Sequence, residues 1–469
     1  MADAGRRAEA GVAGRVGALV GAGAVVLGPE APGPVRKPTW EQLRVARGVG
    51  VGIEGGRVAL VAPDDDVREW YHERAGAAER ESGGAGREGR RVGGPIGLVD
   101  CGGRLLTPGL VDPHTHLLFG APRLDDHSRR ARGDDYKSIA AAGGGILQSM
   151  RDFRGRSEDD LVALGLGRLT WVAALGTTAV EVKSGYGLET EAELRALRGI
   201  RRLADEGPIE VVATFLGAHE VPPEHRARRE GWVRLLVEEL IPRVGRERLA
   251  EFCDVFCEPG VFSLEESEAI LGAARAAGLR LKLHADELDP YGGAELAARL
   301  GAVSADHLGA ISPSGVTALA ASDTVAVLLP GTLMFLGRGR QAPARALLDA
   351  GAVVALASDF NPGSSPGANV PLMMTLAVSQ ARMLPEEALA AVTVNAACAL
   401  DRGDELGRIR VGGPADITAW NCRDPRELAY WYGMPLAWLT VSRGSACITY
   451  GRGISSQGCE LSPLSPPSS

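Results

Sequence analysis

A chain of 469 residues that is 45% hydrophobic has too much apolar material to stay unfolded, and its length allows one large domain with an attachment or two or three small ones. With 51 Lys+Arg against 59 Asp+Glu the net charge is −8, and no basic face interleaved with aromatics occurs, which excludes an electrostatic footprint for nucleic acid. No stretch of ~20 uninterrupted apolar residues is present, so a soluble chain with no membrane span is expected.

In chain order, residues 1–13 read as a disordered tail and 14–106 as the first part of a small β domain, with short apolar runs from Val16 to Leu27 and in GGRVALVAP. Within it, 74–94 (RAGAAERESGGAGREGRRVGG) reads as a flexible insertion, because its composition buries too little apolar surface to offset the entropy of ordering. Residues 107–400 alternate β-rich runs bounded by Gly or Pro (TTAVEVKSG, IEVVATFLGAH, CDVFCEPG, LRLKLHADE, VSADHLG, TVAVLLPG, VVALASDFNPG) with amphipathic helical stretches such as SEDDLVALGLGRLTWVAALG and ETEAELRALRGIRRLADEG. Counted from LLTPGLVDPHTH, this gives eight βα units and predicts an α/β fold, a (β/α)8 TIM-type barrel. No GxGxxG opens a helix after the first strand, so a dinucleotide site has no support. Residues 401–454 return to short alternating runs, ADITAWN and SACITYGRG, and 455–469 read as a second tail. Two all-β fragments flanking one barrel predict a small composite β-sandwich domain built from the N- and C-terminal segments. The seven cysteines form no framework pattern and read as thiols of a reducing, cytoplasmic compartment.

The strongest chemical signal is Asp112-Pro113-His114-Thr115-His116 at the end of the first barrel strand, where residues two apart point to one side and offer two imidazoles to one cation. His219, His284 and His307 each fall at the C-terminal end of a predicted strand, the face on which such barrels build their sites. His72 and His225 lie in charged sequence and read as solvated. Asp359, in VVALASDFNPGSS, ends the last apolar strand and is the natural oxygen ligand, expected on the far side of the barrel from His114 and His116; without a cation it would be a costly unpaired carboxylate. Three histidines and one aspartate suit zinc or iron, whose work is to lower the pKa of a water and polarise a carbonyl.

Together with AAGGGI, VEVKSGYGLE, FLGAHEVP, CDVFCEPGVF, LHADEL, SADHL and SDFNPGSS, spread over about residues 104–400, PGLVDPHTHLLFGAPR makes the chain resemble the amidohydrolase superfamily, and within it the imidazolonepropionase family. The resemblance places His after strands four, five and six and Asp after strand eight. It implies one zinc or iron ion per chain on His114, His116, His284 and Asp359, and substrate contacts from Arg123, Tyr186, His219, Glu287, Asn361, Gly363 and Ser364. The implied reaction is hydrolysis of the cyclic amide of 4-imidazolone-5-propanoate to N-formimidoyl-L-glutamate. In it His219 stabilises the oxyanion while Glu287, His307 and Asp359 handle protons. Lys183 is read at the end of strand three and His219 at the end of strand four, so a lysine-bridged pair of metals is not expected. Cys257 and Glu258 are given packing roles. The expected partner is a small-molecule substrate, in a homodimer without nucleic acid or membrane. The alternatives are another amidohydrolase, a nucleobase deaminase or cyclic amidase, separated by whether Arg123 clamps a carboxylate, and a silent barrel acting as a scaffold.

Overall fold

The computed structural model describes residues 15–82, 97–134, 138–139, 143–337 and 339–449; both predicted tails and residues 83–94 of the predicted insertion lie outside them. Seven strands precede the barrel: β1 (Val16–Val20), β2 (Ala24–Val26), β3 (Val45–Ala46), β4 (Val49–Glu54), β5 (Arg57–Pro63), β6 (Gly97–Asp100) and β7 (Leu105–Pro108). The barrel is β8 (Leu110–Asp112), β9 (Thr177–Lys183), β10 (Glu210–Ala218), β11 (Phe252–Cys257), β12 (Arg280–Ala285), β13 (Ser304–His307), β14 (Val325–Leu328) and β15 (Val354–Leu356). Then come β16 (Ile417–Trp420), β17 (Ala437–Ser442) and β18 (Ser445–Thr449).

Strands β8 to β15 pair in sequence order, every neighbour parallel. The seam closes where the chemistry lies: Asp359 N donates to His114 O and His116 N donates to Phe360 O, each at 3.0 Å. Asp359 therefore stands beside the first strand, not across from it as expected, because in a closed ring the last strand is the first one's neighbour. Helices cover the outside, and their starts are written locally. Ser157 caps Glu158–Ala174 by accepting from Asp160 N at 3.1 Å, and Ser263 caps Leu264–Ala276 by accepting from Glu266 N at 3.2 Å.

The expected composite domain is present as two sheets. One has the order β5-β4-β1-β6; the other, β18-β17-β16-β7-β2-β3, interleaves strands from both ends of the chain. Val16, Leu19 and Val51 of the first sheet share a core with Val25, Leu106, Ile417 and Val441 of the second. Trp420 joins this domain to the barrel: its Nε1 donates to Thr107 Oγ1 at 2.8 Å, and its ring lies where a Cβ on Gly176 would be, 2.2 Å away.

Two further expectations are corrected. Residues 74–82 are the end of a helix, Asp64–Ser82, which opens on three aspartates and seats Val67 and Tyr71 on Ala18, Val20 and Leu98. A few anchoring apolar residues and a favourable dipole suffice there, although the composition is polar. In addition, Lys183 ends the second barrel strand and His219 follows the third, with His284 and His307 on the fifth and sixth. Between β8 and β9 the described residues are helical or irregular, whereas Phe252–Cys257 supplies a full fourth strand.

Candidate active site

His114, His116, His219, His284, His307 and Asp359 converge at the C-terminal mouth of the barrel. Asp359 Oδ1 lies 3.6 Å from His114 Nε2 and 3.5 Å from His116 Nε2, and His284 Nε2 lies 3.4 Å from His116 Nε2. Ligands ~2.0–2.1 Å from a tetrahedral ion stand about 3.3–3.4 Å apart, so His114, His116 and Asp359 are spaced to share one cation, while His284 groups within 4.8 Å with His114 and His307. His114 Nε2 is buried without a hydrogen-bond partner, as a nitrogen reserved for an ion would be. His307, whose ring centre is 5.3 Å from that of His114 and 5.0 Å from that of His284, completes the floor. His307 and Asp359 both take left-handed backbone conformations, φ 78° and 52°, which turn their side chains inward at the strand ends.

Burial holds His114, His116 and His307 well below the ordinary histidine range, with neighbouring positive groups adding to it. The rings are thus neutral and able to donate lone pairs. His284 is the exception: burial lowers it, but Asp254 outweighs burial and raises it. Burial also pushes Asp359 up to about 6, against the lowering effect of the Thr332 hydroxyl, which donates to Oδ2 at 2.6 Å. Thr332 was not legible as a site residue.

His219 is half-buried and stacked 4.9 Å from the His116 ring. Its pKa is pushed down to about 3, by burial first, then by His284 and Arg123. Its Nδ1 is 3.0 Å from Gly185 O, and a carbonyl only accepts, so Nδ1 carries the proton and Nε2 of the neutral ring is an acceptor. That geometry opposes the expected role as oxyanion donor. Tyr186, buried beside it, has its ring 5.6 Å from His219 and 6.1 Å from His116.

The rest of the predicted set lines the rim. Glu287 follows β12, with Oε2 at 3.5 Å from His307 Nδ1. Its loop is fixed by Glu258, whose carboxylate accepts from the backbone of Glu287, Leu288 and Asp289, so the packing residue of the sequence reading is a loop anchor. Arg123 Nε donates to Ser149 Oγ at 2.8 Å, and its guanidinium lies against Gly363, where a Cβ would come within 2.3 Å of Nη1. Asn361 Oδ1 accepts from Gly363 N and Ser364 N, both at 2.7 Å, and its Nδ2 donates to Asp359 O. Its amide therefore shapes the loop rather than projecting from it.

Arg168, invisible in the sequence reading, holds the first βα loop from behind, donating to the carbonyls of Leu117, Phe119 and Gly120 with its guanidinium over the Phe119 ring. Arg168→Met should leave the buried Phe119 and Gly120 carbonyls without this donor, cost about 1–3 kcal/mol in thermal unfolding, and raise KM more than it lowers kcat, because Arg123 rides on that loop.

A closed parallel barrel whose mouth gathers these histidines and an aspartate defines a metal-dependent hydrolase of the amidohydrolase kind. The Amidohydrolase family model matches residues 149–429. Imidazolonepropionases from Geobacillus sp. (strain WCH70) and Symbiobacterium thermophilum are 43% and 44% identical over 428 and 435 residues, spanning 91% and 92% of this chain and 96% and 97% of theirs. In fold, the chain is similar to a triazine hydrolase from Arthrobacter aurescens (TM-score 0.67, 17% identity, 94% of this chain and 96% of the other). It is similar also to a 5-methylcytosine deaminase from Klebsiella pneumoniae (TM-score 0.64, 16% identity, 96% and 99%). The chain belongs to the imidazolonepropionase family of amidohydrolases.

Proposed function

We propose that the chain hydrolyses 4-imidazolone-5-propanoate to N-formimidoyl-L-glutamate, with one zinc or iron ion held by His114, His116, His284 and Asp359. The observation that carries the reading is the cation beside the cluster: Arg123 is packed on Gly363 at the rim and near enough to depress His219. A propionate needs such a clamp and a neutral nucleobase does not, which favours this substrate over a deaminase substrate.

The bound ion supplies a polarised carbonyl and a water of lowered pKa. Arg123 grips the propionate while Tyr186 packs against the ring, and the Asn361–Gly363–Ser364 loop closes the side next to Asp359. His219 Nε2 accepts a ring N–H and sets the carbonyl toward the cluster. Glu287, at the rim and 3.5 Å from His307, takes a proton from the attacking water. The water oxygen bonds to the carbonyl carbon, the ring C–N bond breaks, and the proton passes to the leaving nitrogen through Glu287 and His307. Asp359, whose Oδ2 accepts from Thr332, shares this traffic.

Among the described residues no cysteine is disulfide-bonded and no helix is long and apolar enough to cross a membrane. A cytoplasmic location is part of the same proposal, and fractionation of cells expressing the chain tests it. The homodimer is part of the same proposal, and light scattering measures it.

Arg123→Met should weaken the transition-state interaction by roughly 2–4 kcal/mol, seen as a rise in KM with kcat less affected, while barely moving the melting temperature. Steady-state kinetics with the substrate and with an analogue lacking the propionate carboxylate check it: the variant should lose its disadvantage on the analogue. An equal loss on both compounds would remove Arg123 from carboxylate recognition.

A further inference from the structure

Beneath the ligand cluster the barrel interior contains five fully buried charged side chains: Glu181 and Lys183 on β9, Asp254 on β11, Lys282 on β12 and Asp306 on β13. Lys183 Nζ lies 2.8 Å from Glu181 Oε2, 2.8 Å from Asp254 Oδ2 and 3.6 Å from Asp306 Oδ2. Lys282 Nζ is 3.0 Å from Glu181 Oε1 and donates to Pro113 O, just before His114, at 3.2 Å. Two of the carboxylates continue upward: Asp306 Oδ2 is 2.6 Å from His114 Nδ1, and Asp254 Oδ2 is 2.9 Å from His284 Nδ1. The second oxygen of Asp254 accepts from Val255 N and His284 N, at 2.8 and 3.1 Å. Among the described residues, Lys183 is the one cation paired with the carboxylates behind both histidines.

We propose that Lys183 is a positioning residue for the metal: by clamping Asp254 and Asp306 together it fixes His114 and His284 with Nδ1 on the carboxylates and Nε2 toward the ion. The inference rests on the reading that these two histidines are ligands. The physical reason is that a neutral imidazole has one N–H. A carboxylate beside Nδ1 keeps the proton there and leaves the Nε2 lone pair for the ion. Both rings depend on carboxylates that repel one another in a water-free interior unless a cation stands between them. Lys282 is on Glu181, and the Val255 and His284 amides hold Asp254 alone, so with Lys183 removed no cation ties Asp254 to Asp306. The same three contacts explain why this lysine, although at the end of a barrel strand, bridges no second metal: its amine is committed to carboxylates.

The test uses the full chain stripped of metal and titrated with Co²⁺, following the visible ligand-field bands and the Kd from chelator competition. Two variants are compared with the wild type. Lys183→Met combined with Glu181→Gln removes one positive and one negative charge, so the net charge of the layer is unchanged; Lys183→Gln keeps a hydrogen-bond donor without the charge. Expected is one Co²⁺ on the wild type, and metal-free variants that are folded by circular dichroism yet bind Co²⁺ about 10–100-fold more weakly with altered band intensities. Wild-type Kd and spectrum in a folded variant would overturn the proposal. So would loss of fold in both metal-free variants, since Lys183 would then be a residue of core stability. A wild type that takes up no Co²⁺ overturns the ligand reading itself, and this inference with it.

Discussion

Glu287→Gln is expected to keep the fold and the bound metal and to lose about 10²–10⁴-fold in turnover, the range of a proton-transfer group. Three features set this expectation. The loop of Glu287 is anchored independently by Glu258, so the substitution leaves the backbone in place. Its carboxylate faces His307 at 3.5 Å and not the ligand nitrogens. The amide keeps the shape and still donates a hydrogen bond, so KM should change less than kcat. Metal analysis together with steady-state kinetics separates the cases. Loss of metal would make Glu287 a support of the metal site, and a normal kcat would leave His307 as the proton carrier.

His116→Ala is expected to reduce the metal from about one ion per chain to essentially none, a larger effect than the 10–100-fold that follows loss of an outer hydrogen-bond partner. His116 Nε2 faces both Asp359 Oδ1 and His284 Nε2, so its removal opens two edges of the ligand polyhedron at once. The metal-free protein should stay folded, because the strand end keeps its backbone bond from His116 N to Phe360 O. Elemental analysis after dialysis checks it; two ions per wild-type chain, or an unchanged content in the variant, would contradict the single-ion site.

The barrel was legible because its strands are short apolar runs cut by Gly and Pro, and the ligands because a His-x-His pair and a terminal Asp carry their chemistry in the residue type itself. What the sequence hid depends on register and closure. Asp254 and Asp306 stand behind the ligands only because β11, β12 and β13 pair so that Asp306 lies level with His284, a relation no spacing along the chain expresses. Asp359 was assigned to the wrong side of the barrel because closure brings the ends of the count together. Lys183 and His219 each fall one strand earlier than expected because the described residues of the long first connection are helical or irregular. The tautomer of His219 is set by one carbonyl, Gly185 O, supplied from a different strand end. Arg168 reads in sequence as an ordinary helical arginine; its three carbonyl partners are 48–51 residues away.

The most direct measurement of the central proposal is turnover of freshly prepared 4-imidazolone-5-propanoate by the purified chain, before and after metal removal and after restoration with zinc or iron, with N-formimidoyl-L-glutamate identified as product. The expected result is steady conversion that disappears with the metal and returns with about one equivalent. Stable substrate in the presence of metal-loaded, folded protein, or conversion indifferent to metal removal, would contradict it.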